Sequence, residues 1–431
     1  MTLRAVPALD LDLAPRLPGD KSITHRAYLL ALLGHRPFRV TGPNRGEDCA
    51  HTLAAVEALG VSVEDALADG NGEDRVTLEG PGSRTPGGVL DLGNSGTGLR
   101  LLAGVLAARS GRFVLTGDTS LRSRPMERIA EPLRRMGARI ATENGRAPLT
   151  IEGAGLRGAD HHLPVPSAQV KSALLLAGVQ ACGVTRVAGG GGSRDHTERL
   201  LRGGGVRIDG DPDALVLEGP QAVSAPDLEI PGDPSAAGFY AAAAAVVPGG
   251  RAVLHGVSGN PTRTAVLDAL AAMGVRIDRE VQNAEVEPRE TWTVRGGDLR
   301  GIEVGAADVP ALVDELPLLA VCAALAEGES RFGGAGELRH KESDRLAAMA
   351  EGLAAIGAAV RETVDGWVIR GSGGRPLPGG RVATRGDHRV GMAFLIAGLR
   401  TRDGVTLRDD PRIGTSDPYF VSNFKGLIQP Q

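Results

Sequence analysis

One arrangement occurs six times along this chain, and it decides what the chain can fold into. Each copy is a polar turn, a helix-length run rich in Ala and Leu, a glycine and a short β-prone segment. The runs are "RAYLLALLG", "LRLLAGVLAARSG", "KSALLLAGVQACG", "SAAGFYAAAAAVVPGG", "ELPLLAVCAALAEG" and "VGMAFLIAGLRT". Their polar turns begin near Asp20, Asn94, Ser167, Asp233, Asp314 and Asp387, at intervals of about 66 to 81 residues. Each run is apolar all round, so a helix built from it has to be buried on every side. In five copies an amphipathic helix follows, such as "MERIAEPLRRMG" or "DRLAAMAEGLAAIG", and ends at glycine as a C-terminal cap should. Two short strands close the unit, which reads β-α-β-α-β-β. The sixth copy stops early at "FVSNFKGLIQPQ", so the N-terminal "TLRAVPALDLDL" is expected to supply its missing strands.

Repeats of about 70 residues are long for a linear solenoid, whose units run about 20–45 residues. Three all-apolar helices can share one centre, so two domains of three repeats each are expected. The length of 431 residues and the 42% hydrophobic content accommodate two such cores. The balance of 48 Lys+Arg against 52 Asp+Glu leaves a net charge of −4, and aromatics make up only 3%. Neither a basic field nor a base-stacking platform is present, so no nucleic-acid partner is expected. Three cysteines, Cys49, Cys182 and Cys322, show no disulfide or zinc spacing. The N-terminus has prolines and aspartates where a signal peptide needs an apolar stretch. No run is long enough to span a bilayer, so no membrane partner and a cytosolic location are expected.

The polar turns carry the chemistry. Helix N-termini present unpaired N–H groups and partial positive charge, which makes them anion sites. "GDKSITHR" adds Lys21, Ser22 and Arg26 to one of them, where unpaired charge beside a core is costly. "LGNSGTGLR" offers Gly93, Gly96 and Gly98 for close backbone approach to a ligand. "SLRSRPMERI" places Arg124 before a helix-start proline, and "PSAQVKSALLLAG" opens its helix with Ser167, Gln169 and Lys171. "SRDHTERL" supplies Arg194 and Asp195. In "ELRHKESDRL", Lys341 and Arg345 stand at i,i+4, a like-charge pair that wants an anion between them, with Glu342 adjacent. "TRGDHRVGMAF" brings Asp387 and Arg389, and "DELPLLAV" brings Asp314 and Glu315, where a carboxylate among cations is a candidate general base. A solvated cap or a surface ion pair is the plain alternative for each motif alone. "GGGGS" at Gly189–Ser193 lacks the lysine of a phosphate-binding P-loop, and no G-x-S-x-G nucleophile elbow occurs. This inventory suits chemistry between two anionic small molecules, with Lys21 and Arg26 compensated by substrate anions.

Seven of these motifs, "GDKSITHR", "LGNSGTGLR", "LRSRPM", "SAQVKSALLLAG", "SRDHTE", "KESDR" and "DHRVGMAF", stand in the order found in the 5-enolpyruvylshikimate-3-phosphate synthase family. The chain resembles that family over nearly its whole length, and more closely its bacterial branch with glyphosate-tolerant members. The resemblance implies two α/β domains, each of three β-α-β-α-β-β repeats around buried central helices, the inside-out α/β barrel of enolpyruvyl transferases. One domain would combine residues 1–16 with 229–431, the other would be residues 17–228, and the active site would lie between them. It implies transfer of the enolpyruvyl group of phosphoenolpyruvate to the 5-hydroxyl of shikimate 3-phosphate, releasing phosphate, in aromatic amino acid biosynthesis. No metal or organic cofactor is implied, and a monomer is expected. Carried over residue by residue, shikimate 3-phosphate would meet Lys21, Ser22, Arg26, Ser167, Gln169, Arg194, Asp314 and Lys341. Phosphoenolpyruvate would meet Lys21, Gly96, Arg124, Arg345 and Arg389. Lys21, Asp314 and Glu342 would be catalytic, with Asp314 taking the hydroxyl proton and Glu342 protonating the methylene carbon. Glyphosate would compete with phosphoenolpyruvate, because Gly96 leaves open the space that alanine fills in many tolerant relatives.

One segment departs from the family pattern. Many members place lysine three residues before a proline in a "KTFP"-like stretch, and here "GTSDPYF" has Thr415, with Lys425 further on. The related UDP-N-acetylglucosamine enolpyruvyl transferases usually carry a cysteine in the loop before the helix-start "RP". "GDTSLRSRP" has none, which disfavours that activity. An inactive anion-binding relative would be expected to have lost a carboxylate first, and both Asp314 and Glu342 are present.

Overall fold

The computed structural model describes residues 2–34, 36–66, 74–80, 88–283 and 286–431. The chain divides into two compact units, Gly19–Ile230 and Met1–Pro18 with Pro231–Gln431. Each crossover therefore lies two residues beyond the position expected from sequence. Among the described residues the strands form six four-stranded sheets, three in each unit.

All six sheets share one pattern. Gly88–Asp91 runs parallel to Arg112–Thr116, which is antiparallel to Arg146–Glu152, which pairs in turn with Arg139–Glu143. The parallel pair needs a crossover, and the buried helix Gly96–Ala107 supplies it. Strand residues alternate between buried and exposed, so each sheet walls the unit with one face inward. No sheet among the described residues closes on itself, so the barrel character is that of helices enclosed by separate sheets.

The six all-apolar runs form the helices Lys21–Leu30, Gly96–Ala107, Ala168–Gly178, Pro234–Val246, Leu316–Leu325 and His388–Gly398. Every residue of Pro234–Val246 and Leu316–Leu325 is buried, and these two pack on each other and on His388–Gly398. Burying one Leu or Val side chain is worth about 1.5–3 kcal/mol, so these centres dominate the stability of each unit. In the other unit Gly104 lets two helices touch, since a β-carbon there would overlap the carbonyl oxygen of Ala173. The caps lie at Asp20, Ser95, Ser167, Asp233, Glu315 and Asp387, one residue after the expected Asn94 and Asp314 in two cases. The amphipathic helices end as the sequence indicates, with Gly60, Gly137, Gly205, Gly274 and Gly357 each at positive φ just past the last turn.

Two strands change places. Asp12–Leu13 precedes helix Lys21–Leu30 but pairs with Arg251–Ser258, whereas Leu228–Glu229 precedes helix Pro234–Val246 but pairs with Phe38–Thr41. The sixth sheet is completed from both chain ends, by Leu3–Ala5 and Ile428–Pro430. The N-terminal segment thus gives the sixth repeat one strand, not all that it lacks. In that repeat the amphipathic helix shrinks to Phe420–Asn423.

Candidate active site

In the unit Pro231–Gln431 with Met1–Pro18, the chemistry gathers on one carboxylate. Asp314 lies just before helix Leu316–Leu325, with Arg345 Nη1 at 3.5 Å, Arg389 Nη2 at 3.8 Å and Lys341 Nζ at 3.9 Å from its oxygens. Arg389 Nη1 also donates to the Asp314 carbonyl at 3.1 Å. Arg345 is 1% exposed, and its Nη2 donates to Glu342 Oε2 at 2.6 Å while Nε donates to Asp387 Oδ2 at 2.8 Å. Burial opposes the charge on this guanidinium, but Asp387, Glu342 and Asp314 together outweigh burial and raise its pKa. Asp387 has a second task, because its Oδ1 caps helix His388–Gly398 by accepting from Arg389 N at 3.0 Å. The sequence thus brings Asp314, Lys341, Glu342, Arg345 and Arg389 together, although not as read. Lys341 and Arg345 do not share a helix. Lys341 ends the 3₁₀ turn Gly336–His340, and Asp344 starts a new helix, Arg345–Ala355, by accepting from Ala347 N at 3.1 Å. What joins the two cations is Asp314.

In the unit Gly19–Ile230, two polar networks form at helix starts. The first joins Arg26, which is 3% exposed, to Thr197 Oγ1 at 2.7 Å, Ser172 Oγ at 2.8 Å and the Ser22 carbonyl at 2.8 Å. Arg194 Nη1 donates to Ser22 Oγ at 3.3 Å, and Lys21 Nζ pairs with Asp48 Oδ2 at 3.0 Å. The expectation that substrate anions alone compensate Lys21 and Arg26 is therefore corrected, since both have partners within the chain. Burial, reinforced by Lys21 and Arg26, holds the His25 pKa well below the usual imidazole range, so this ring is neutral.

The second network surrounds Gly96. Arg124 donates to Asn94 Oδ1 at 2.6 Å, Arg100 Nη1 donates to Gln169 Oε1 at 2.6 Å, and Gln169 Nε2 donates to Thr97 Oγ1 at 3.0 Å. A β-carbon on Gly96 would stand 3.1 Å from Arg124 Nη1 and 3.3 Å from Arg100 Nη1. Two guanidinium groups thus converge on a helix N-terminus, an arrangement made for an anion. Ser167 accepts from Arg128 Nη2 at 2.6 Å.

The sequence reading missed Arg100, Arg128 and Asp48. Arg100 stands four residues after Gly96, on the same helical face, and that spacing was the available signal. Asp48 lies on a different helix with nothing in its spacing to announce it. Lys171, read as ligand-facing, instead pairs with Glu198 at 2.7 Å in the core. Thr415 is buried in the turn Ile413–Thr415 with its hydroxyl on the Arg412 carbonyl, and Lys425 is exposed. No helix among the described residues is long and apolar enough to cross a membrane.

Comparison with known proteins shows the family. The family model for EPSP synthase (3-phosphoshikimate 1-carboxyvinyltransferase) matches residues 10–424. The 3-phosphoshikimate 1-carboxyvinyltransferase of Geobacter sulfurreducens is 45% identical over 431 residues, covering 98% of each chain. That of Methylococcus capsulatus is 46% identical over 415 residues, covering 94% of this chain and 92% of its own. Among solved structures, an EPSP synthase from Acinetobacter baumannii is 39% identical with a TM-score of 0.86, covering both chains completely. The chain belongs to the EPSP synthase family, the 3-phosphoshikimate 1-carboxyvinyltransferases.

Proposed function

We infer that this chain transfers the 1-carboxyvinyl group of phosphoenolpyruvate to the 5-hydroxyl of shikimate 3-phosphate and releases phosphate, a step of aromatic amino acid biosynthesis. The observation that carries the reading is the Asp314 carboxylate held among Lys341, Arg345 and Arg389. Unliganded, Asp314 serves as their counter-ion. When the substrates' carboxylate and phosphate groups take those cations, Asp314 is released to accept the hydroxyl proton as the oxygen bonds to C2 of phosphoenolpyruvate. Glu342 delivers a proton to C3, which gives a tetrahedral intermediate bearing both oxygens on C2. In the second half the C2–O bond to phosphate breaks, the departing phosphate takes up the hydroxyl proton held on Asp314, and C3 returns one proton to Glu342 to restore the double bond. Fixed cations and helix N-termini stabilise the phosphate charge throughout, commonly the largest catalytic term.

By this reading shikimate 3-phosphate meets Lys21, Ser22, Arg26, Ser167, Gln169, Arg194, Asp314 and Lys341, and phosphoenolpyruvate meets Lys21, Gly96, Arg124, Arg345 and Arg389. The two networks around Ser22 and Gly96 support that division, each presenting cations at a helix start. A monomer in the cytoplasm accords with the reading. The test is Asp314→Asn, which should lower kcat by about 10² or more, the scale of general acid–base groups, with shikimate 3-phosphate affinity kept within about tenfold. Near-normal turnover would remove Asp314 as the base.

A further inference from the structure

The ion pair Lys171–Glu198 takes no part in the proposed chemistry, yet it is the more deeply buried of the charged features near it. Lys171 is 0% and Glu198 2% exposed, with Nζ 2.7 Å from Oε1. The same ammonium donates to the Ser193 carbonyl at 3.3 Å. One residue along each helix, Thr197 donates to Ser172 Oγ at 2.6 Å. Two adjacent residues of helix Ala168–Gly178 thus grip two adjacent residues of helix His196–Gly203.

A buried ion pair loses so much hydration that apolar residues of similar volume commonly stabilise as well or better. Holding the two helices together therefore does not require charge. Holding the Ser193 carbonyl requires a donor, and the Lys171 ammonium supplies it. The run Gly189–Ser193 is four glycines and a serine, and a β-carbon on Gly190 would stand 2.9 Å from Lys171 Cδ. Gly190 thus lies against the lysine stem, and the ammonium holds the carbonyl at the end of the run. The next residue is Arg194, which reaches Ser22, while Ser167 and Gln169 open the lysine's own helix.

We propose that Lys171–Glu198 is a positioning pair that sets Arg194 against the Ser167–Gln169 helix start and thereby determines the fit of shikimate 3-phosphate. This deepens the functional reading and rests on its assignment of Arg194 to that substrate. The pair touches no reacting atom.

The test is the double variant Lys171→Met/Glu198→Leu, which removes both charges and leaves no buried ion alone. Circular dichroism and thermal unfolding establish that it folds. Calorimetric titration with shikimate 3-phosphate should then show a Kd raised about tenfold or more, the scale of a displaced charge-assisted hydrogen bond. The KM for phosphoenolpyruvate at saturating shikimate 3-phosphate should stay within about threefold. Wild-type shikimate 3-phosphate affinity, or equal losses for both substrates, would overturn the proposal. Glu198→Asp keeps the charges while shortening the reach, and it should show the same selective loss in smaller measure even if the double variant fails to fold. Unchanged affinity in Glu198→Asp would overturn the proposal as well. Arg194→Ala separates the two levels of inference. No loss of shikimate 3-phosphate affinity there would remove the assignment of Arg194, whereas a loss there without one in the pair variants would remove only the positioning role.

Discussion

Asp314 holds three cations at 3.5 to 3.9 Å, and the residues that do so were legible in the sequence as types rather than as partners. A cation, a carboxylate and a glycine at successive helix starts announce an anion site by local chemistry alone. Which carboxylate answers which cation depends on packing between helices, so Asp48 for Lys21 and Glu198 for Lys171 were beyond reach. Gly96 is the residue whose consequence is sharpest. With Arg124 Nη1 and Arg100 Nη1 only 3.1 and 3.3 Å from where a β-carbon would sit, Gly96→Ala must displace both guanidinium groups slightly. Overpacking of this kind costs about 1–3 kcal/mol. The KM for phosphoenolpyruvate should rise, and the inhibition constant for glyphosate should rise more, because the longer inhibitor needs the space along the chain axis. Steady-state inhibition of both proteins measures this, and equal changes in the two constants would contradict it.

At the level of elements, the six central helices were plain because nothing but burial suits a run apolar on every side. The "KESD" stretch misled because its i,i+4 cations looked helical. Asp344 starts a new helix there, and the cation Arg345 at that N-terminus is tolerated because three carboxylates face it. The close approach at Gly104 gives one prediction. Gly104→Ala should separate helices Gly96–Ala107 and Ala168–Gly178 and destabilise the protein by about 1–3 kcal/mol in urea unfolding. An unchanged midpoint would show that the helices can part at no cost. The C-terminal segment gives another. Asp417 is buried beneath Tyr240, whose hydroxyl donates to its Oδ2 at 2.6 Å, and burial lifts its pKa to about 6. The carboxyl of the unfolded chain, ordinarily near 3.8, ionises first, so the wild type loses stability as pH rises from about 4 to 6 and the loss is complete above that. Asp417→Asn, neutral throughout, should gain in unfolding temperature relative to the wild type across that interval. A difference independent of pH would refute the raised pKa.

For the whole molecule, sixfold repetition made the two-unit plan readable, and the placement of the crossovers differed by two residues. The exchanged strands were not readable. Asp12–Leu13 and Leu228–Glu229 are two residues each, too short to carry a period, and their partners lie about 240 and about 190 residues away. The unit Gly19–Ile230 is thus one continuous stretch, whereas the other joins chain from both sides of it. The proposed chemistry likewise draws on both units, with the acid–base carboxylates in one and Lys21, Arg124 and Arg194 in the other. The most direct measurement of the central claim is phosphate release by the purified protein given phosphoenolpyruvate with and without shikimate 3-phosphate. The account predicts one phosphate released per shikimate 3-phosphate consumed, stoichiometric formation of its 5-carboxyvinyl ether, and no release when UDP-N-acetylglucosamine replaces it. Phosphate release that does not require shikimate 3-phosphate, or no release with both substrates present, would contradict it.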